Sequence, residues 1–266
     1  MVQGREANRA DDHNRLLEAI REYWNEHIHD LEIAKHPIGT KEFFAELHAY
    51  RFDKLHYLPR VVDFSAYRGK RLLEVGCGVG LDLVAFAQHG GVVTGIDLSE
   101  QAIELAKKNF AFSGVQGDLR VMNGENIAFD DHSFDAVYAH GVLQYTADAT
   151  RMVAEIYRVL KPGGEAILMV YNKYSWLNLL SVLFGVGLEH ADAPVLNKYS
   201  AQQFRDLLSR FSQVDIVFER FPVQSRLHGG GVKGLVFNTM FVPLFNIVPR
   251  VVVRKTGWHI LAKVKK

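Results

Sequence analysis

Leu72-Leu73-Glu74-Val75-Gly76-Cys77-Gly78-Val79-Gly80 is the stretch on which the reading of this chain turns. A short apolar run ends in a glycine turn, and the apolar, helix-like segment Leu81–His89 follows. Strand, glycine turn and helix in that order form a nucleotide cradle in α/β proteins. The glycines remove the Cβ atoms that would hold a ligand away from the backbone. The spacing is G-x-G-x-G, unlike the G-x-G-x-x-G of dinucleotide folds, and an acid, Glu74, stands two residues before the first glycine. A carboxylate there repels a pyrophosphate and attracts an ammonium group. The expected ligand is therefore S-adenosylmethionine rather than NAD.

Outward from this turn the pattern alternates between strand and helix. Strands are expected at Arg71–Val75, Val92–Ile96, Leu119–Asn123, Phe134–Ala139, Glu165–Tyr171, Val214–Phe218 and Trp258–Val264. Helices are expected at Leu81–His89, Glu100–Phe110 behind the N-cap Ser99, and Ala149–Leu160, closed by Lys161-Pro162-Gly163-Gly164. Ser200 and Gln203 form a capping-box pair for a helix reaching Phe211. This rhythm predicts an α/β three-layer sandwich around a mostly parallel seven-stranded sheet. Before it, Leu16, Leu17, Ile20, Tyr23, Trp24 and His27 recur at helical spacing, and a second helix is expected over Lys41–Tyr57. The expected division is an N-terminal helical cap over 1–58 and a ligand-binding domain over 59–266. Insertions over 172–198 and 221–255 interrupt that domain after strands five and six.

Composition narrows the function classes. Of 266 residues, 48% are hydrophobic and 23% charged, which suits a globular protein. The single cysteine, Cys77, rules out an intrachain disulfide and agrees with a reducing, cytoplasmic setting. The polar N-terminus does not resemble a signal peptide, and no long apolar run predicts a membrane span. A net charge of +1 gives no basic footprint for nucleic acid. Yet Phe221–Lys266 holds eight Lys and Arg and no Asp or Glu. Its apolar pieces, with Trp176–Leu188, could roof a hydrophobic or anionic small-molecule pocket, touch an anionic membrane as a peripheral contact, or form core or homodimer contacts.

Asp97 closes the second strand in Gly95-Ile96-Asp97-Leu98-Ser99, about 20 residues past the glycine turn, where a carboxylate can take both ribose hydroxyls. Four segments, LLEVGCGVG, VVTGIDLS, FDAVYAHGVLQY and EIYRVLKPGG, resemble the class I S-adenosylmethionine-dependent methyltransferases. The last is characteristic of the small-molecule branch that includes ubiquinone and menaquinone methyltransferases. The resemblance covers about residues 60–171.

Carried onto this chain, the resemblance implies that Glu74, Gly76 and Gly78, with Cys77 and Gly80 in the same turn, line the methionine part of the cofactor. Asp97 would hold the ribose, and Leu98 would pack on the adenine. Asn123 stands where the family places an acid beside the adenine amino group; Glu125 is the alternative, with Asn126 in the same turn. His140 follows the fourth strand, near the methionine end. The family often has a His where Gln144 or Tyr145 stands. The implied reaction is in-line methyl transfer to a small acceptor, which demands orientation first and a base only where the nucleophile must lose a proton. Candidates for that base are His140, Tyr145, His27, Tyr23 and His228. His27-x-His29 places its two rings in different directions on a helix and lacks further ligands, so no metal is expected. A cofactor-binding sensor or assembly protein without turnover is the alternative.

Overall fold

The computed structural model describes residues 2–28, 31–223, 235 and 237–266, and only the backbone of 2–10 and 32. His29, His228 and the Gly229–Gly231 run lie outside the described residues. Among the described residues, seven strands form one sheet: β1 (Arg71–Val75), β2 (Val92–Asp97), β3 (Asp118–Val121), β4 (Phe134–His140), β5 (Leu160–Tyr171), β6 (Gln213–Glu219) and β7 (His259–Lys265). Their spatial order is β3-β2-β1-β4-β5-β7-β6. Neighbours from β3 to β5 pair in parallel, while β7 runs antiparallel to both β5 and β6. The sheet is thus mixed, with one reversed strand inserted between β5 and β6.

Strand alternation builds the two faces. Leu72, Tyr138, Met169, Tyr171 and Leu261 belong to one core, which also takes Leu83 and Phe86 of α4 (Leu81–Gln88), Ile103 and Phe110 of α5 (Glu100–Ser113), and Leu58 of α3 (Leu58–Val61). Leu73, Val75, Ala139, Leu168 and Ile260 belong to the other, against Met152 and Ile156 of α6 (Ala149–Val159) and Phe204 of α8 (Ala201–Leu207). Glu74, His140 and His259 share the first face by the same alternation. There they meet α1 (Val2–Glu26) and α2 (Lys41–Lys54).

Local chemistry follows the sequence in most places. The Ser200–Gln203 capping box forms with both reciprocal bonds, but α8 stops at Leu207 rather than Phe211. Lys161–Gly164, expected as a stop outside the sheet, lies within β5, where a bulge between Phe134 and Ala136 absorbs the extra residues. Beyond β5 lies α7 (Trp176–Phe184), and between β6 and β7 lie a π-helical turn (Phe237–Phe241), α9 (Val242–Ile247) and α10 (Arg250–Val253).

The β6–β7 end is tight. A Cβ at Gly257 would stand 2.4 Å from the Glu219 carbonyl oxygen and 2.9 Å from its nitrogen, so backbone itself would have to move. Gly257→Ala is expected to cost about 1–3 kcal/mol through overpacking. At about 2–4 °C per kcal/mol for a domain of this size, thermal unfolding should show it. An unchanged Tm would contradict the packing described.

Candidate functional site

The glycine turn is held from both sides. Gly76 N and Cys77 N donate to Ile96 O at 2.8 and 3.0 Å, tying the end of β1 to β2. Gly76, Gly78 and Gly80 all have positive φ (71°, 52° and 76°), a region that favours glycine. A Cβ at Gly76 would meet Val142 at 2.8 Å and one at Gly80 the Phe110 ring at 3.2 Å, while one at Gly78 would enter open space. Gly78 therefore faces a cavity, and Gly80 serves packing at the start of α4.

Glu74, Gly76, Cys77, Gly78, Asp97, Leu98, Asn123, His140 and Tyr145 all line that one cavity. Asp97 accepts Gly78 N–H at 2.8 Å through Oδ2 and Ser99 N–H at 2.9 Å through Oδ1. Burial nonetheless moves its carboxyl above the ordinary range. Glu74 is 4% exposed, and its Oε2 has no hydrogen-bond partner. Burial, reinforced by repulsion from Asp82, pushes its carboxyl well above the usual value, against the pull of Arg51.

Other expected residues stand elsewhere. Gly80 and the solvent-exposed Asn126 do not line the cavity. Glu125 is buried in its own loop, where Oε1 accepts from Thr146 Oγ1 and, at 2.9 Å, from Asp148 N, and His13 Nε2 lies 2.9 Å from Oε2. Asn123 Oδ1 accepts Glu125 N–H at 2.9 Å. Tyr23 and His27 are also off the lining. The Tyr23 hydroxyl donates to Asp192 at 2.9 Å and lies 3.1 Å from His190 Nδ1, and His27 stacks on its ring at 4.3 Å. These contacts pin the end of α1 to residues 190–192. Leu17, Ile20 and Trp24 of α1 do reach the cavity, with Trp24 edge-on to Tyr145 at 5.0 Å.

Sequence reading missed a buried polar chain along the far wall. Asp82 takes a bidentate bond from Arg51 and a 2.9 Å bond from the Tyr138 hydroxyl. Arg51 reaches His140 Nδ1 at 3.2 Å, and His140 Nε2 lies 3.0 Å from the Tyr57 hydroxyl. Tyr57 lies 2.5 Å from His259 Nδ1, and Arg220 stands 3.2 Å from His259 Nε2. Arg220 ends on Glu189 at 2.6 Å, which also pairs with Lys54 at 3.1 Å.

A guanidinium only donates, so the outer nitrogen of each imidazole accepts and the inner N–H of each points at the Tyr57 oxygen. Both imidazoles are thereby neutral. Burial, with Arg51 next, pushes His140 down to about 3, and burial with Arg220 holds His259 well below its usual value. Tyr145 bonds Tyr171 and Glu189 O, both at 3.3 Å, and burial drives its hydroxyl far above the ordinary phenol range.

Two of the missed residues carried a signal. Asp82 is an acid inside the apolar run Leu81–Phe86, and His259 interrupts an apolar strand. Arg220 carried none. It is a non-glycine residue at φ 58°, and its carbonyl accepts the Trp176 indole at 2.9 Å. This strained backbone accompanies a guanidinium that reaches the cavity wall.

Comparison with known proteins follows this geometry. Residues 73–168 match the family model described as "Methyltransferase domain". A ubiquinone biosynthesis O-methyltransferase of Xanthomonas oryzae pv. oryzae is 37% identical over 128 residues, 48% of this chain and 52% of that protein. The chain thus spans about half the length of the curated relatives it matches. A solved S-adenosylmethionine-dependent methyltransferase from Thermotoga maritima shares the fold with a TM-score of 0.53 and 19% identity, covering 82% of this chain and 99% of that one. One from Aquifex aeolicus gives 0.55 at 14% identity, over 85% and 98%.

The neutral imidazole has a measurable consequence. The unfolded chain takes up a proton on His140 below about pH 6.5, whereas the folded chain waits until about 3. Its contribution to stability is therefore lost as pH falls below about 6.5, by up to about 1.4 kcal/mol per pH unit. Thermal unfolding between pH 7 and 5 should fall less steeply in His140→Gln, whose amide can keep both bonds. Parallel profiles would refute the neutral assignment. Residues 73–168 thus match a methyltransferase domain and resemble the ubiquinone-type enzymes, and the glycine cradle and the sheet agree with the fold of the solved S-adenosylmethionine-dependent methyltransferases.

Proposed function

We propose that the protein transfers a methyl group from S-adenosylmethionine to a small, partly apolar acceptor bearing an acidic hydroxyl. The observation that carries this reading is the pairing of two chemically distinct ends in one cavity. At one end are Glu74, with its unpartnered buried oxygen, the open Gly78 and Asp97. These fit the cofactor: Glu74 would take its ammonium group, Gly76–Gly78 would admit its chain, and Asp97 the ribose hydroxyls. Leu98 would pack on the adenine, and Asn123 would meet its amino group. At the other end are Tyr145, Met169, Tyr171, Arg220 and His259. When bound, the cofactor supplies an electrophilic sulfonium methyl.

The residues of this chain would orient rather than deprotonate. Both nitrogens of His140 and of His259 are already engaged, and phenols as weakly acidic as Tyr145 donate hydrogen bonds rather than accept protons. His140 is therefore a positioning residue in this reading. Arg220 would favour the ionised form of an acceptor hydroxyl, which gives its proton to solvent before transfer and so needs no protein base. The similarity of the core to ubiquinone biosynthesis O-methyltransferases agrees with an oxygen nucleophile.

The domain division follows the same reading. Residues 1–58 form a helical cap, and α1 closes the cofactor end through Leu17, Ile20 and Trp24 while Tyr23 and His27 hold it in place. Residues 59–266 form the catalytic domain, with 172–198 and 221–255 as its insertions. A sensor without turnover has no use for the second end, where Arg220 and Lys54 are paired with Glu189.

The test is transfer of labelled methyl to a panel of hydroxylated aromatic acceptors. Asp97→Ala is expected to weaken cofactor binding more than about tenfold, because charge-assisted bonds are lost. Arg220→Gln should reduce transfer by about tenfold or more at unchanged cofactor affinity. Normal cofactor affinity in Asp97→Ala would overturn the ribose assignment, and full transfer by Arg220→Gln the acceptor assignment.

A further inference from the structure

The helices beside the acceptor end leave their apolar side chains in solvent. On α7, Leu179, Val182 and Leu183 lie at three- and four-residue spacing on one face and are 57%, 75% and 61% exposed. In the segment between β6 and β7, Ile247 is 77% exposed and Val251 of α10 68%. The two groups belong to one structure: the Trp176 ring lies 6.1 Å from Phe237 and 5.8 Å from Phe241, and Trp176 N donates to Thr256 O at 2.9 Å. Scattered exposed apolar residues are ordinary; a face of this density marks a contact surface.

Charge decides what covers it. No Asp or Glu occurs between Tyr171 and Glu189 or from Phe221 to the last residue. Arg250, Arg254 and Lys255 are exposed and flank Val251 and Val252, and the exposed Tyr174 ring carries the Lys173 ammonium at 6.0 Å. Apolar side chains within an acid-free basic rim match an anionic bilayer surface, where insertion and electrostatic attraction add. No helix among the described residues is long and apolar enough to cross a membrane, so this contact is peripheral.

We propose that α7, α9 and α10 form a docking face for anionic lipid bilayers, set beside the cavity. Position supports it. The Trp176 indole at the start of α7 bonds the carbonyl of Arg220, whose side chain lines the cavity. A docked molecule therefore holds its acceptor end next to the lipid. On the methyl-transfer reading, an acceptor with an apolar tail could then enter from the bilayer.

The experiment is flotation of the whole protein, without cofactor, with vesicles of phosphatidylcholine alone or with about 30% phosphatidylglycerol. Binding is expected to the mixed vesicles only, and to weaken with added salt. Val182→Asp with Val251→Asp should reduce it more than about tenfold. Arg250→Gln with Arg254→Gln should reduce mainly the salt-sensitive part. Circular dichroism and cofactor titration establish that the variants fold, so failure of lipid binding is separable from failure of the methyltransferase reading. Absence of binding at low salt overturns the proposal, as does binding indifferent to the aspartates. So does a dimer in solution that Val182→Asp dissociates, because a second copy would then cover the face.

Discussion

A single buried run of charges and imidazoles, from Asp82 through Arg51, His140, Tyr57, His259 and Arg220 to Glu189, ties the working end of the molecule together. Its members come from α4, α2, β4, the turn before α3, β7, the end of β6 and the segment after α7. Removing any one leaves a buried partner unsatisfied, which costs far more than the net worth of the bond it made. The antiparallel insertion of β7 between β5 and β6 places two members of this run. In this register His259 sits opposite both Tyr171 and Glu219, directly before Arg220. The tight approach of Gly257 to Glu219 and the left-handed backbone at Arg220 serve the same placement.

Against this balanced chain, Glu74 stands out as uncompensated. Asp82 has Arg51, Glu189 has Arg220 and Lys54, and Asp97 has two backbone amides. One oxygen of Glu74 has nothing, although it is buried beside two other carboxylates. A buried carboxylate without a partner favours its neutral form or a cationic ligand. The cavity end that holds it is thus matched in charge to an ammonium- and sulfonium-bearing cofactor. The opposite end carries Arg220 and Lys54, both paired with Glu189, beside the Tyr145 and Tyr171 hydroxyls.

The glycine-turn half of the cavity is local in sequence and so was legible there. Glu74, the glycines and Asp97 lie on two adjacent strands and one turn, where period and spacing report three-dimensional position. Glu125 misled because proximity along the chain to Asn123 does not show that its side chain turns inward, to Thr146 and Asp148. The far half of the cavity is assembled from residues as far apart as Arg51, Glu189, Arg220 and His259. No spacing rule links them, because the strand order that brings them together is set by pairing across the whole sheet. The Lys161–Gly164 stretch shows the converse limit, since turn residues were absorbed into a strand by a bulge.

Calorimetric titration with S-adenosylmethionine and S-adenosylhomocysteine, repeated in buffers of different ionisation enthalpy, tests the role of Glu74 most directly. Both ligands carry the ammonium group. If Glu74 is held partly protonated by burial and ionises to meet that group, micromolar binding should release protons and tighten as pH rises toward the free carboxyl's raised pKa. Glu74→Gln should bind more weakly and lose the proton release. Binding without proton exchange, or an unaltered Glu74→Gln variant, would contradict the assignment of this carboxylate as the anchor of the cofactor.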